Sequence, residues 1–266
     1  MRISISTILG FALGSFLIIT SIQTTTNNYK IFINASSAMI VFGGTFAALF
    51  ISYDFKNIIK MFTALFSTLF HFGRNAKSFS KDIKLLVQWS EEVQKGGLAV
   101  LEEKIDFYKK KDEFKYYALT LVSANYSSEE LHYLLDNYIK SKYERENIAA
   151  NMLTRMGGFA PAFGMVGTLI GLIVMLNGLG SDPGKLGQGL AVALNTTLYG
   201  VLAANLFFKP ISAKIKTRNQ RKRNRSFLLA EGFILLQNKV SPIVLQDRLN
   251  SFLGIQEQFD MFSNKE

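Results

Sequence analysis

An uncharged run from Ala160 to Leu176 constrains this chain more than any other stretch. With Phe159 and Asn177–Leu179 it reaches the length of roughly 20 residues that a helix needs to cross a bilayer. Its small residues lie in rows. Gly167 and Gly171 are four apart, and Gly164 and Thr168 sit on neighbouring turns, so a partner helix can approach closely. Pro161 stands near the start of the run, where a missing backbone N–H costs least. Alone, this reads as an ordinary membrane helix with a packing face. A second run, Leu190 to Asn205, follows after a short turn and extends the reading to a closely packed pair. It is again rich in small residues, carries Asn195, Thr196 and Thr197 at mid-depth, and ends at Lys209-Pro210.

The composition fits a membrane protein with a water-exposed portion: 48% of residues are hydrophobic, 19% are charged, and the charges are segregated into dense blocks. The absence of cysteine excludes disulfides and thiolate chemistry. His71 and His132 stand apart from other ligand-type residues, so both read as structural and no metal site is expected. No phosphate-binding loop or nucleophile motif occurs. The chain is therefore not expected to be an enzyme or to hold a cofactor, and an ion gradient is the expected energy source. Residues 209–266 hold eleven Lys/Arg against five Asp/Glu, densest from Lys214 to Arg225. Such a run can bind nucleic acid. Directly after an apolar span, it reads instead as the positive-inside signal of a helix that has returned to the cytoplasm, with no nucleic-acid partner expected.

In chain order, Ile3 to Ile22 is too long an apolar core for a cleaved signal peptide and is expected to be a retained first span. A short polar loop follows, then a second span from Ala35 to Tyr53 containing Gly43 and Gly44, closed by Asp54-Phe55-Lys56. Residues 54–158 carry sixteen basic and fourteen acidic residues. The helical spacing of Ile58, Ile59, Phe62, Leu65, Phe66 and Leu69 opens this insertion. Further helices are expected around 79–95, 98–111 and 112–124. Ser127, three residues before Glu130, marks a capped start. From there a long helix continues into the third span, with a bend at Gly157–Pro161. Leu179–Lys185 reads as a tight turn, and Leu186–Phe208 as the fourth span. Another amphipathic segment, a break at Ser241-Pro242, a short helix Ile243–Phe252 and a frayed tail from Gly254 complete the chain.

The expected fold is all-α: a polytopic membrane protein with four transmembrane helices and a large helical cytoplasmic insertion. Residues 1–53 form spans one and two, 54–158 the cytoplasmic helical domain, 159–208 spans three and four, and 209–266 a basic cytoplasmic region. The Lys/Arg distribution puts both termini in the cytoplasm. Within the spans no Asp, Glu, Lys, Arg or His stands away from the ends. An ion path through lipid usually needs such a group at depth. Thr168, Thr196, Thr197 and Asn195 offer oxygens that can line a wet groove or meet a carboxylate supplied from elsewhere. Threonine hydroxyls in membrane helices also commonly bond to the carbonyl one turn back, and that alternative stands beside the first.

The runs Ala160–Gly171 and Ala191–Gly200 resemble the MotA/TolQ/ExbB channel family. Ile40–Thr45, Gly96–Glu102 and Glu231–Gln237, with Pro242 and Leu249–Phe252, are similar to the flagellar stator branch of that family, MotA/PomA, in order along nearly the whole chain. Four spans with one large insertion also suit that branch better than the three-span TolQ and ExbB. The resemblance implies an A-type stator subunit of the inner membrane that uses a sodium or proton gradient to turn the rotor. It implies a homo-oligomer, five A subunits around two B subunits. Each B subunit is of the MotB/PomB type, binds peptidoglycan and supplies the missing membrane aspartate. It also implies contact with the rotor protein FliG. Pro161 and Pro210 match coupling prolines, and Thr168 and Thr197 match positions on the ion path. Glu102, beside Glu103, matches a rotor-contacting glutamate. Where the family has an arginine, this chain has Gln94, with Lys95 next to it; a flexible ammonium is not equivalent to a guanidinium fork. The two threonines incline the coupling ion toward sodium, which prefers oxygen ligands, although some proton-driven relatives keep the first of them. The alternative from another class is an ExbB/TolQ-like energiser of an envelope process.

Overall fold

The computed structural model describes residues 2–3, 5–71, 77–178 and 183–260. It is helical throughout, apart from one two-residue antiparallel pairing of β1 (Arg2–Ile3) with β2 (Phe70–His71). Among the described residues, four helices are long and apolar enough to cross a membrane, in agreement with the sequence reading. The first is α1 (Ile5–Thr25). The second comprises α2 (Ala35–Ala38), a π-helical turn Met39–Gly43 and α3 (Gly44–Ser52). Asn34 starts it as an N-cap, its side chain accepting from the Ser37 N–H at 2.9 Å. An extended Tyr53 closes it.

α4 (Phe55–Leu69) follows, then α5 (Lys77–Gly96), which stops at Gly97, a glycine held at φ +72°. A 3-10 segment Leu98–Lys104 leads into the single turn α6 (Ile105–Tyr108) and α7 (Glu113–Ser123). The expected capping box forms. Glu130 accepts from both the N–H and the hydroxyl of Ser127, at 3.1 and 2.8 Å, while the Glu130 N–H donates to Ser127 Oγ at 3.3 Å. It opens α8 (Ser128–Asn177), a single helix of 50 residues.

Pro161 lies inside α8, so the bend expected at 157–161 is not a break in the helix. α9 (Pro183–Leu202) returns, then a π-helical turn Ala203–Phe208, then α10 (Lys209–Gln237). Two expectations are corrected here. Pro210 does not end the helix that carries the fourth span, and the basic run and the amphipathic segment after it are one helix. The physical reason lies in the turn before the proline. Pro210 has no N–H to give to the carbonyl one α-turn back, and the wider π turn spaces the preceding bonds so that the helix passes through. Of the turn expected at Leu179–Lys185, residues 179–182 lie outside the described residues, and Pro183 onward is already helical.

The C-terminal stretch is also corrected. After α11 (Pro242–Asn250), Asn250 holds Phe259 in both directions, receiving its N–H at 2.9 Å and donating to its carbonyl at 2.8 Å. Phe259 therefore anchors residues 254–260, and the rest of the tail expected to fray, 261–266, lies outside the described residues.

Packing divides the chain into two units, Met1–Phe72 with Glu146–Thr217, and Gly73–Arg145 with Arg218–Glu266. The first has a core of Val41, Leu49, Ile58, Met61, Met152, Leu153 and Met156. The second is centred on Leu86, Trp89, Leu119, Leu135 and Phe233. In the second unit, each such fully buried side chain contributes about 1.5–3 kcal/mol through removal from water. Trp89 packs edge-on to Tyr108, and Leu86 closes over Gly232.

Candidate functional site

The glycines of α8 make a seam with α9. A Cβ on Gly171 would meet the Gly189 carbonyl oxygen at 2.4 Å, one on Gly164 the Thr196 carbonyl at 3.0 Å, and one on Gly167 the Thr196 side chain at 2.3 Å. The two backbones therefore approach where only small residues permit it. Gly44 lies against the Phe163 ring, 2.2 Å from where its Cβ would stand. Gly43, expected in the same role, has open space around it. Gly189 and Gly200 complete the seam, and a Cβ on Gly200 would be 2.5 Å from the Ala160 carbonyl oxygen. The sequence carries a signal for them: Gly189, Ala193, Thr196 and Gly200 recur at spacings of four, three and four, one helical face.

This close approach brings Thr168 and Thr197 together. Their hydroxyl oxygens are 2.7 Å apart, and either can donate. Thr168 also reaches the carbonyls of Gly164 and Ala193, each at 3.1 Å, and Thr197 reaches Ala193 at 3.3 Å. The one-turn-back bond and the shared pair thus coexist. Thr197 is exposed and Thr168 half-buried, on a surface continued by the exposed apolar side chains of Met165, Leu190, Leu194 and Val201. Two hydroxyls at the centre of an apolar face can accept from an acid or donate to its anion.

The other two polar residues turn elsewhere. Thr196 is fully buried against Gly167 and bonds to the Val192 and Ala193 carbonyls, both at 2.9 Å. Asn195 donates to the Ile31 carbonyl at 2.9 Å. Tyr199, missed in the sequence, joins it, accepting the Asn34 N–H at 2.9 Å and donating to the Phe32 carbonyl at 2.5 Å. Asn195 and Tyr199 clamp the connection between the first two spans onto α9, at the level of the threonine pair. Near the other end of the hairpin, the Lys209 stem covers Gly157, and its ammonium donates to Asn205 at 3.0 Å. Pro161 and Pro210 neither start nor end their helical runs.

In the second unit, Gln94, Lys95, Glu102 and Glu103 are all exposed, around the end of α5 and the 3-10 segment. A charge cluster that the sequence did not reveal lies in the same unit. Asp82 of α5 receives Lys115 at 2.7 Å and a bidentate Arg225, Nε at 2.5 Å and Nη2 at 3.0 Å. Arg225 Nη2 also donates to Asp112 at 2.9 Å, and Asp112 caps α7 through the Lys115 N–H at 3.4 Å. Two cations and two anions thus cancel in a mostly buried setting. Burial alone would raise the Asp112 pKa. The charge and hydrogen bond of Arg225, with Lys115, outweigh burial and hold the carboxyl below its usual range. Arg225 is raised by the reciprocal balance: burial acts downward, and Asp82 and Asp112 override it.

The sequence pattern of the MotA/TolQ/ExbB proton channel family matches residues 107–226, which include the whole α8–α9 seam. The chain is 33% identical over 258 residues to the uncharacterized protein YtxD of Bacillus subtilis, covering 96% of this chain and 93% of that one. It is 31% identical over 261 residues to motility protein A of Borreliella burgdorferi, covering 98% of each. Its fold is similar to that of a chain in the structure of C. jejuni MotAB, with a TM-score of 0.83 at 23% identity, over 97% of this chain and 100% of that one.

Proposed function

The chain belongs to the MotA/TolQ/ExbB proton channel family, and from that membership we infer that it is the A-type stator subunit of a bacterial flagellar motor. Whole-length similarity to a motility protein A supports the stator branch, as do four candidate spans. The observation that carries the mechanism is the Thr168–Thr197 pair at the centre of an apolar face whose spans hold no ionisable group at depth. That face is half of an ion site. A MotB/PomB-type partner helix would bring an aspartate against the two hydroxyls, and its peptidoglycan-binding domain would anchor the complex. Neutralising that aspartate changes which wall contacts are favourable, so ion occupancy selects between positions of the partner helix.

In this reading five A subunits surround two B subunits in the inner membrane, both termini face the cytoplasm, and the chain carries out no covalent chemistry. Gln94, Lys95, Glu102 and Glu103 meet FliG, where charge complementarity steers docking. Pro161 and Pro210 link the α8–α9 seam to the movement. Sodium is the favoured coupling ion.

The deciding experiment measures ion flux in vesicles holding this chain with and without its partner. Flux is expected only from the pair, and only with the partner aspartate intact. Substantial flux from this chain alone, or from a pair whose aspartate is replaced by asparagine, overturns the shared site. Swimming speed against external sodium at constant membrane potential decides the ion. A reporter at Asn27 that reads cytoplasmic would reject the orientation.

A further inference from the structure

α4 joins two points on one side of the membrane. It begins three residues after Ser52, where the second span ends. It runs into β2, which pairs with Arg2–Ile3, just ahead of the first span. Consecutive spans run in opposite directions, so residues 3 and 52 lie at the same surface. The 15 residues of α4 reach about 22 Å, and a helix tied to one surface at both ends lies along it.

Its residues sort into three stripes. Ile58 and Met61 are buried in the core of their unit. Phe55, Ile59, Phe62 and Phe66 recur at four, three and four and are 67%, 51%, 37% and 60% exposed. Roughly a quarter-turn further round, Lys56 and Lys60 are exposed one turn apart. The helix itself has no carboxylate, although Asp54 precedes it. The apolar stripe is continuous with the second span: Phe55 stacks on Phe50 at 6.5 Å, and Phe62 on Phe46 at 6.3 Å. Phe50 and Ile51 of that span are themselves exposed.

We propose that α4 is an in-plane membrane-surface helix that seats Phe55, Ile59, Phe62 and Phe66 at the acyl boundary and binds anionic phospholipid headgroups through Lys56 and Lys60. Continuity with a span surface specifies lipid as the occupant. An apolar stripe flanked by lysines is what a surface-lying helix requires. Each lysine near an anionic leaflet favours it by roughly fivefold, equivalent to about 1 kcal/mol. The inference rests only on the spans being membrane-embedded and is independent of the stator reading.

The chain has no cysteine, so single labels are unique. Ile59→Cys and Phe66→Cys, each bearing a bimane, are made in the full chain and reconstituted in vesicles of phosphatidylglycerol and phosphatidylcholine. Either lipid is brominated on its acyl chain, and Glu129→Cys serves as the exposed control. Both α4 labels should be quenched and the control should not. Brominated phosphatidylglycerol should quench at least about threefold better than brominated phosphatidylcholine at equal mole fraction, given the lysine contribution above. Lys56→Gln with Lys60→Gln should abolish that preference and keep the quenching, and Lys56→Arg with Lys60→Arg should retain both. Absence of lipid quenching at residues 59 and 66, or bismaleimide cross-linking of Phe66→Cys between two copies of the chain, overturns the surface assignment. Equal quenching by the two lipids in the lysine-bearing chain overturns the headgroup selection.

Discussion

Gly171 and Gly189 meet backbone to backbone: a Cβ on the first would stand 2.4 Å from the carbonyl oxygen of the second, and the reverse distance is 2.5 Å. The obstacle is main chain on both sides, so neither can yield by a rotamer change. Gly171→Ala and Gly189→Ala should each destabilise the protein by about 1–3 kcal/mol, the usual effect of overpacking. Gly43→Ala, with open space around it, should leave chain stability within about 0.5 kcal/mol. Thermal denaturation in detergent measures all three. An unchanged midpoint for Gly171→Ala would contradict the seam.

Trp89 is the single tryptophan and lies 3% exposed in the core that contains Leu86 and Phe233, so its fluorescence reports the unfolding of that unit. Asp82→Asn leaves Lys115 and Arg225 with one fewer anion, and breaking a buried pair from one side costs about 3–5 kcal/mol. The Trp89 transition should move to lower denaturant accordingly, whereas reversal of the exposed Glu103 should not move it.

The same cluster sets an acid limit. Asp112 has a depressed pKa in the folded state, so its contribution is fully present above the unfolded aspartate value of about 3.9 and is lost as pH falls below that, through the depressed value. Stability read from Trp89 should fall with acid below pH about 4. The slope should be shallower in Asp112→Asn, which also weakens the α7 cap. Equal slopes would reject this assignment.

Thr168→Val keeps the shape and removes the hydroxyl shared with Thr197. One net hydrogen bond of about 1 kcal/mol corresponds to roughly fivefold. Ion flux and swimming speed of the assembled motor should fall by about that factor, and Thr168→Ser should recover most of it. Membrane abundance should not change. Full activity in Thr168→Val would remove the pair from the ion path.

Lys95→Glu combined with Glu102→Lys should reduce motility without lowering membrane assembly, with the deficit varying with salt as surface electrostatics do. Single reversals should do little, because exposed charges contribute about 0–1 kcal/mol each. Normal swimming of the double variant at every salt concentration would dismiss the rotor contact.

Much of the fold was legible because membrane spans announce themselves locally. The four apolar runs and the Ser127–Glu130 box are each read within a few residues. What joins distant residues was not. Asp82 and Arg225 are 143 positions apart, and nothing in either local sequence distinguishes them from solvated charges. Pro210 was misread because a proline is a breaker by default, and the π turn that accommodates it has no sequence mark. Thr168 and Thr197 were found through their motif, whereas the roles of Asn195 and Thr196 depend on helix rotation. One residue of offset, about 100°, separates an outward hydroxyl from one packed on Gly167.

The Thr168–Thr197 contact has more acceptors than hydrogens. Two hydroxyl protons are offered to the Gly164 and Ala193 carbonyls and to each other's oxygen. When both turn to the carbonyls, the lone pairs left over present a negative edge. When one swings outward, the same two atoms present a positive edge. Polarity is therefore inverted by two torsions, with the backbone stationary and the glycine seam undisturbed. A surface of this kind is complementary to a carboxylate and to its neutral form in turn, so the charge change is absorbed in rotors that reorient on the picosecond-to-nanosecond scale, far faster than any helix can travel.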